Sequence, residues 1–206
     1  VDSGGQQTLG DDDEDVVVEE GEVYLHGQSG ERKATGTYYT KTRFVEHLLD
    51  NSLEPALDDH IERIDRLREE EGENAAAEAF FDIRVSDIAM GSGHFLVGAV
   101  DRIETKLRSY LTENQLTPVE EELDNLKDAA EEAFEGEEYT PNIERGQLLR
   151  RQVARRCVYG VDLNPLATEL ARLSIWVHTF VPGLPLTFLD YNLVSGDSLA
   201  GIGTLD

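Results

Sequence analysis

The chain has 206 residues, enough for one α/β domain with its own core, and sets 43 acidic residues against 18 basic ones, a formal net charge of -25. One cysteine, Cys157, excludes an internal disulfide and a multi-cysteine metal site, and no 18-residue apolar run is present to cross a bilayer. Such an acidic excess normally argues against a nucleic-acid partner, but molar salt shortens the Debye length to about 3 Å, so charge does not exclude DNA here. Lysine is confined to Lys33, Lys41, Lys106 and Lys127. This carboxylated composition fits a halophilic protein whose surface stays hydrated in high salt. With no charged-then-apolar leader, the expected location is the cytoplasm, away from membranes.

Residues 1–33, which include the block "DDDEDVVVEE" (11–20), read as an acidic, flexible arm. Residues 34–206 read as a single domain. After "TGTYYT" (35–40), Thr40 or Thr42 is expected to cap a helix with apolar positions Phe44, Val45, Leu48 and Leu49. An exposed acidic helix follows over 56–72, stopped by Gly72, and then a short one over "AAAEAFF" (75–81). "DIRVSDIA" (82–89) alternates as a buried strand, with Ile83 and Val85 pointing inward, and a helix runs from Ser92 to about Leu111. Residues 101–145 are expected to form an acidic helical insert, an excursion from the sheet's face. A basic helix over 144–156 leads into a second strand, "CVYGVDL" (157–163). Pro165 suits the first turn of a helix over 164–180, and a third strand is expected within "YNLVSGDSL" (191–199). The order is βαβαβ, half of a doubly wound parallel sheet.

The stretch "SDIAMGSGHFLVGA" (86–99) places an acid and two glycines at a strand-to-helix turn. A triphosphate loop would need G-x-x-x-x-G-K-[ST], and no lysine is present here. A dinucleotide loop would need a third glycine three residues after the second, whereas Gly98 comes too late. What remains is Asp87, able to meet an ammonium group, ahead of a G-x-G turn whose helix N-terminus can receive a carboxylate. That pair of groups suits an amino-acid moiety; a tight turn without a ligand is the plainer alternative. The second strand ends at Asp162, where α/β nucleoside sites place an acid for the ribose hydroxyls, with Leu163 beside it for a purine. The third ends at Asp197, able to accept from an adenine amino group. An amino acid, a ribose and an adenine together describe S-adenosylmethionine.

Four segments then resemble the N6-adenine DNA methyltransferases, particularly the large methylases of type IIG restriction-modification and phage-defence systems. "ATGTYYTKTRFVEHLL" (34–49) is similar to their G-x-Y-Y-T-P element, and "DIAMGSGHFLVGA" (87–99) to their D-P-A-x-G-S-G-x-F-L loop. "VYGVDLNPLATELARLSIWV" (158–177) and "FLDYNLVSGDSL" (188–199) match the two elements that follow. Lys41 and Ile88 stand where that family has prolines. The resemblance implies a Rossmann-like class I methyltransferase fold, here its first half, about three strands with a helical insert. It implies that Tyr38, Tyr39 and Thr40 close over the methionine end of S-adenosylmethionine, and that Asp87, Ala89, Gly91, Ser92 and Gly93 form the loop around it. Asp162 would hold the ribose, Leu163 and Asn164 would lie beside the adenine, and Asp197 would meet its amino group.

The family's catalytic Asn/Asp-Pro-Pro-aromatic tetrapeptide does not occur in this sequence. The fragment is therefore expected to bind cofactor, to lack catalytic residues and to need no metal. Double-stranded DNA would be reached through the full-length protein. The first strand's open edge is expected to be covered by the remainder of the methylase, by a partner chain or by the arm. An RNA or protein methyltransferase, or a non-catalytic assembly module on the same half-sheet, remains the alternative.

Outside these motifs, Ile175, Trp176 and Phe180 read as core, His178 as structural and Cys157 as a buried thiol. His94 is as suited to capping the loop as to meeting a ligand. Arg150, Arg151, Arg155 and Arg156 read as a salt-bridged helix face ahead of a phosphate contact. The charge carries one expectation of its own. The thermal midpoint, followed by circular dichroism, should rise steeply between dilute buffer and molar KCl, and a flat dependence would contradict halophilic adaptation.

Overall fold

The computed structural model describes residues 41–137, 141–185 and 189–200. All of them belong to one compact unit, Thr37–Asp206. The arm 1–33 and the tyrosine pair Tyr38–Tyr39 with Thr40 lie outside the described residues.

Helix α1 (Thr42–Leu48) continues through a π-helical turn (Leu49–Leu53) into α2 (Glu54–Glu70). Lys41 holds the N-cap position of α1 with no side-chain cap, so Thr42 is the first helical residue and not the expected cap. Helix α2 is acidic but not wholly exposed, because Leu57, His60 and Ile64 recur on one face and are buried. Gly72, at φ +97°, then turns the chain into α3 (Glu73–Ala79). A side chain resists that conformation, which is why the α2 helix ends there.

The sheet has three parallel strands in the order β1 (Val85–Asp87), β2 (Val158–Asp162), β3 (Leu193–Ser195). Val85 pairs with Val158 and Asp87 with Gly160, while Gly160 pairs with Leu193 and Asp162 with Ser195. The first strand is only half-buried along its length rather than fully buried. The third is shorter than the sequence suggested, because residues 189–192 form a helical turn, α8 (Leu189–Asn192), just ahead of it. Between the strands run α4 (His94–Glu113), α5 (Thr117–Glu132), α6 (Arg145–Cys157) and α7 (Pro165–His178).

Helix α4 is the spine of the core: Leu96, Ala99, Val100, Ile103 and Leu107 are all fully buried. Val119, Leu123 and Ala130 of α5 join the same core, so the segment after α4 packs with the domain instead of standing away from it. Two glycines let α4 and β2 approach their neighbours. A Cβ on Gly98 would come within 2.8 Å of Leu49 Cδ1. A Cβ on Gly160 would overlap Met90 Sδ and lie 2.9 Å from Leu96 Cδ1.

Ile175 is buried as expected, but Trp176 and Phe180 are not core residues: they are 39% and 48% exposed and pack edge-to-face on each other. Helical spacing places them on the side of α7 turned away from the sheet. His178 is structural, its Nε2 lying 2.7 Å from Asp101 Oδ1.

The basic face of α6 is largely spent on acids. Arg156 pairs with Glu122 at 3.0 Å, and Arg150 reaches Asp101 at 3.6 Å and the buried Glu104 at 3.9 Å. Arg151 donates to the Pro185 carbonyl.

Two outcomes follow from this packing. Gly160→Ala should destabilise the fold by about 1–3 kcal/mol, the usual cost of overpacking, whereas Gly146→Ala should be neutral or stabilising. The added Cβ at Gly146 meets nothing closer than Glu104 Oε1 at 3.5 Å; thermal unfolding of both variants checks the contrast. Burial pushes the Cys157 thiol up to about 12 and leaves it fully enclosed. Ellman's reagent should therefore label it only in denaturant.

Candidate functional site

Because the strands are parallel, their C-terminal ends face the same way, and the loop 88–93 and the turns after Asp162 and Ser195 gather there. The first of these is built by two left-handed glycines, Gly91 at φ +53° and Gly93 at φ +81°. Gly93 is also required for space: a Cβ there would sit 3.1 Å from Ala171 Cβ, so the loop rests directly on α7. Around Gly91 there is nothing within 4 Å of such a Cβ, so the backbone is open to close approach from outside. The Gly93 N–H returns to the Met90 carbonyl at 2.8 Å, and helix α4 begins at His94.

Asp162 ties this loop to the second strand. Its Oδ2 accepts the Gly91 N–H at 2.8 Å and its Oδ1 accepts the Asn164 N–H at 2.8 Å. The Met90 N–H donates to the Val161 carbonyl at 3.1 Å, a second stitch one residue earlier. Asp162 therefore holds protein as well as facing the strand end, a role that sequence spacing did not reveal. Each carboxylate oxygen keeps a further lone pair.

Asp87 is half-buried at the end of β1, and its Oδ1 accepts the Ala89 N–H at 3.0 Å. Burial pushes its carboxyl above the ordinary range; the Ala89 N–H opposes this, and the neighbouring Asp162 charge adds to it. Asp197 sits in the opposite environment. Exposed after β3, its Oδ1 accepts the Ala200 and Leu199 N–H groups at 2.9 Å each, which hold its carboxyl below the ordinary range. The Gly196 N–H donates to the Asp162 carbonyl at 2.9 Å, so the third turn is stitched to the second.

The remaining expected residues fall around these three acids. Ala89 and Ser92 are exposed on the loop. Leu163 is exposed beside Asp162, and Asn164 caps α7 by accepting the Leu166 N–H at 3.0 Å. Ile88, in the place of a proline, is exposed and makes no core contact. His94 lies 3.5 Å from Thr42 Oγ1, linking α1 to the start of α4.

Two positioning residues escaped the sequence reading. Arg172 donates from Nε and Nη2 to the Leu193 carbonyl at 3.1 and 2.8 Å, and Asn192 Nδ2 donates to the Ala154, Arg155 and Val158 carbonyls. Together they fix where β3 lies. No short motif signals either one, since both act across long sequence separations.

A separate cleft of about 410 Å³ lies between α5 and α6, lined by Glu121, Gln152 and Arg155 among others. None of the strand-end residues borders it.

With this geometry in view, the chain was compared with known proteins. It is 26% identical over 203 residues to a protein of Methanocaldococcus jannaschii (strain ATCC 43067 / DSM 2661 / JAL-1 / JCM 10045 / NBRC 100440) named as a candidate type II restriction enzyme and methyltransferase. The match covers 82% of this chain but 15% of that protein, so the chain spans a small part of the relative's length. No protein-family profile matches the chain, and no solved structure does. No helix among the described residues is long and apolar enough to cross a membrane.

The electrostatics of Asp87 give a test that needs no ligand. A carboxyl held above its ordinary value stabilises the fold below that value and loses this contribution as pH rises through the raised one. Asp87→Asn keeps an oxygen for the Ala89 N–H and removes the charge. Its thermal midpoint should exceed that of the unchanged chain by a few degrees at pH 7, and the gain should vanish at acid pH. A loss of stability at pH 7 would mean that the charge supports the fold.

Proposed function

We propose that the chain is the S-adenosylmethionine-binding part of a DNA adenine-N6 methyltransferase from a restriction-modification system. The observation that carries the reading is the convergence of Asp87, Asp162 and Asp197 at one end of a parallel sheet, around a glycine loop that Asp162 itself fixes. The name of the M. jannaschii relative supports the same class of chemistry.

The residues present fit the cofactor. The first-turn N–H groups of Phe95 and Leu96 have no intrahelical partner and lie beside the open backbone of Gly91, as an α-carboxylate requires. Asp87, half-buried next to a second carboxylate, is relieved by a cation, and both the ammonium and the sulfonium of the ligand are cationic. Asp162 has lone pairs left for two hydroxyls, and Asp197 has Oδ2 for an amino group. Leu163, exposed beside them, offers an apolar surface to a purine. Bound there, the cofactor supplies an electrophilic methyl group.

This chain's residues would bind and orient it, while the Asn/Asp-Pro-Pro-aromatic element that meets a flipped adenine is not in this sequence. Tyr38, Tyr39 and Thr40 belong to the proposal as the cover over the methionine end. Double-stranded DNA is the proposed substrate of the whole enzyme.

Isothermal titration in molar KCl tests the reading. The 206-residue chain should bind S-adenosylmethionine saturably, and Asp162→Ala should weaken binding at least about tenfold, since each hydrogen bond to a charged group is worth roughly 1.5–3 kcal/mol. Absence of saturable binding, or an unchanged affinity in Asp162→Ala, would refute it. The same chain should transfer no methyl groups to DNA.

A further inference from the structure

We infer that the outer face of α7 is a dimerisation surface, pairing antiparallel with α7 of a second copy of this chain. The helix is apolar on both sides. Ala167, Ala171 and Ile175 are buried against the domain, while Leu166, Leu170, Leu173 and Val177 are 67%, 46%, 48% and 67% exposed. A helix that is hydrophobic all round belongs inside a structure, and here one side has no cover among the described residues.

The spacing of the exposed positions selects the occupant. Steps of four, three and four keep these side chains in one stripe, the pattern of a helix-pairing seam. The series also reads the same from either end. Laid antiparallel across a twofold axis, Leu166 meets Val177 of the second copy and Leu170 meets Leu173. That self-complementarity is what an isologous contact requires.

Charge points the same way. A chain of net charge -25 repels its copy on most approaches. Along residues 165–180 the only acid is Glu169, and Arg172 neutralises it at 2.7 Å. Arg172 also lies 3.6 Å from Asp190, so the one cation at the rim is already compensated. The antiparallel arrangement sets Glu169 beside Ser174 of the copy, with no acid facing an acid.

Area is adequate. Specific interfaces bury about 1,000 Å² or more in total, and the Trp176–Phe180 pair, centroids 6.1 Å apart, extends the stripe with two large side chains. The contact is independent of the strand-end site and uses none of its acids.

Sedimentation equilibrium of the full 206-residue chain in molar KCl tests this. A monomer–dimer equilibrium is expected, and Leu170→Glu or Val177→Glu should raise its dissociation constant at least about tenfold while leaving the far-ultraviolet circular dichroism unchanged. Leu166→Cys chains mixed with Val177→Cys chains should form a disulfide-linked dimer under oxidation, and neither alone should do so; the buried Cys157 does not compete. A chain that stays monomeric at every concentration would overturn the proposal and assign the face to a different polypeptide. A dimer indifferent to both glutamates, or one that Leu166→Cys alone cross-links, would overturn it as well.

Discussion

One carboxylate holds the functional end of this domain together. Asp162 accepts the Gly91 N–H with one oxygen and the Asn164 N–H with the other, each at 2.8 Å. The first bond spans 71 residues and crosses from the second strand to the loop after the first; the second shapes the turn that opens α7. Hydrogen bonds to an ionised acceptor are about twice as strong as neutral ones, so this clamp sets the loop's position more firmly than its own glycines can. The Gly196 N–H on the Asp162 carbonyl extends the same control to the third turn.

The rest of the packing serves that arrangement. Helix α4 must start close to α7, and Gly93 allows it by resting on Ala171. The strand beneath must leave room for Met90 and Leu96, and Gly160 provides that room. Strands of three and five residues give little ladder of their own, so β3 depends on side chains. Arg172 covers the Leu193 carbonyl and Asn192 gathers three carbonyls at the end of α6 and the start of β2. The result is an end of the sheet where two acids lie close enough to disfavour joint ionisation, while a third is exposed and well solvated. Such a division of environments is typical of sites that receive a cation and a neutral polar group side by side.

Much of this was legible before any coordinates. Strand–helix alternation, the glycine turn and the acid closing "YGVD" follow from local pattern and spacing, and the structure puts the strands and helices within a few residues of their expected bounds. What was not legible shares one cause, dependence on distant neighbours. Trp176 and Phe180 sit at helical spacing that suits a core, and only the placement of α7 against the sheet shows that they face outward. Asp162 announced itself as an acid at a strand end, but its two backbone partners come from a loop 71 residues earlier and a turn two residues later. The expected caps Thr40 and Thr42 lost to Lys41 because α1 starts without any side-chain cap.

Hydrogen–deuterium exchange of the 206-residue chain in molar KCl, with and without S-adenosylmethionine, tests most directly whether the clamped loop and the three acids form one ligand site. The expected result is slowed exchange at residues 87–97, 160–166 and 196–200 together, with α2 and α3 unaffected. Protection confined to the cleft between α5 and α6, or no protection at a saturating ligand concentration, would contradict it.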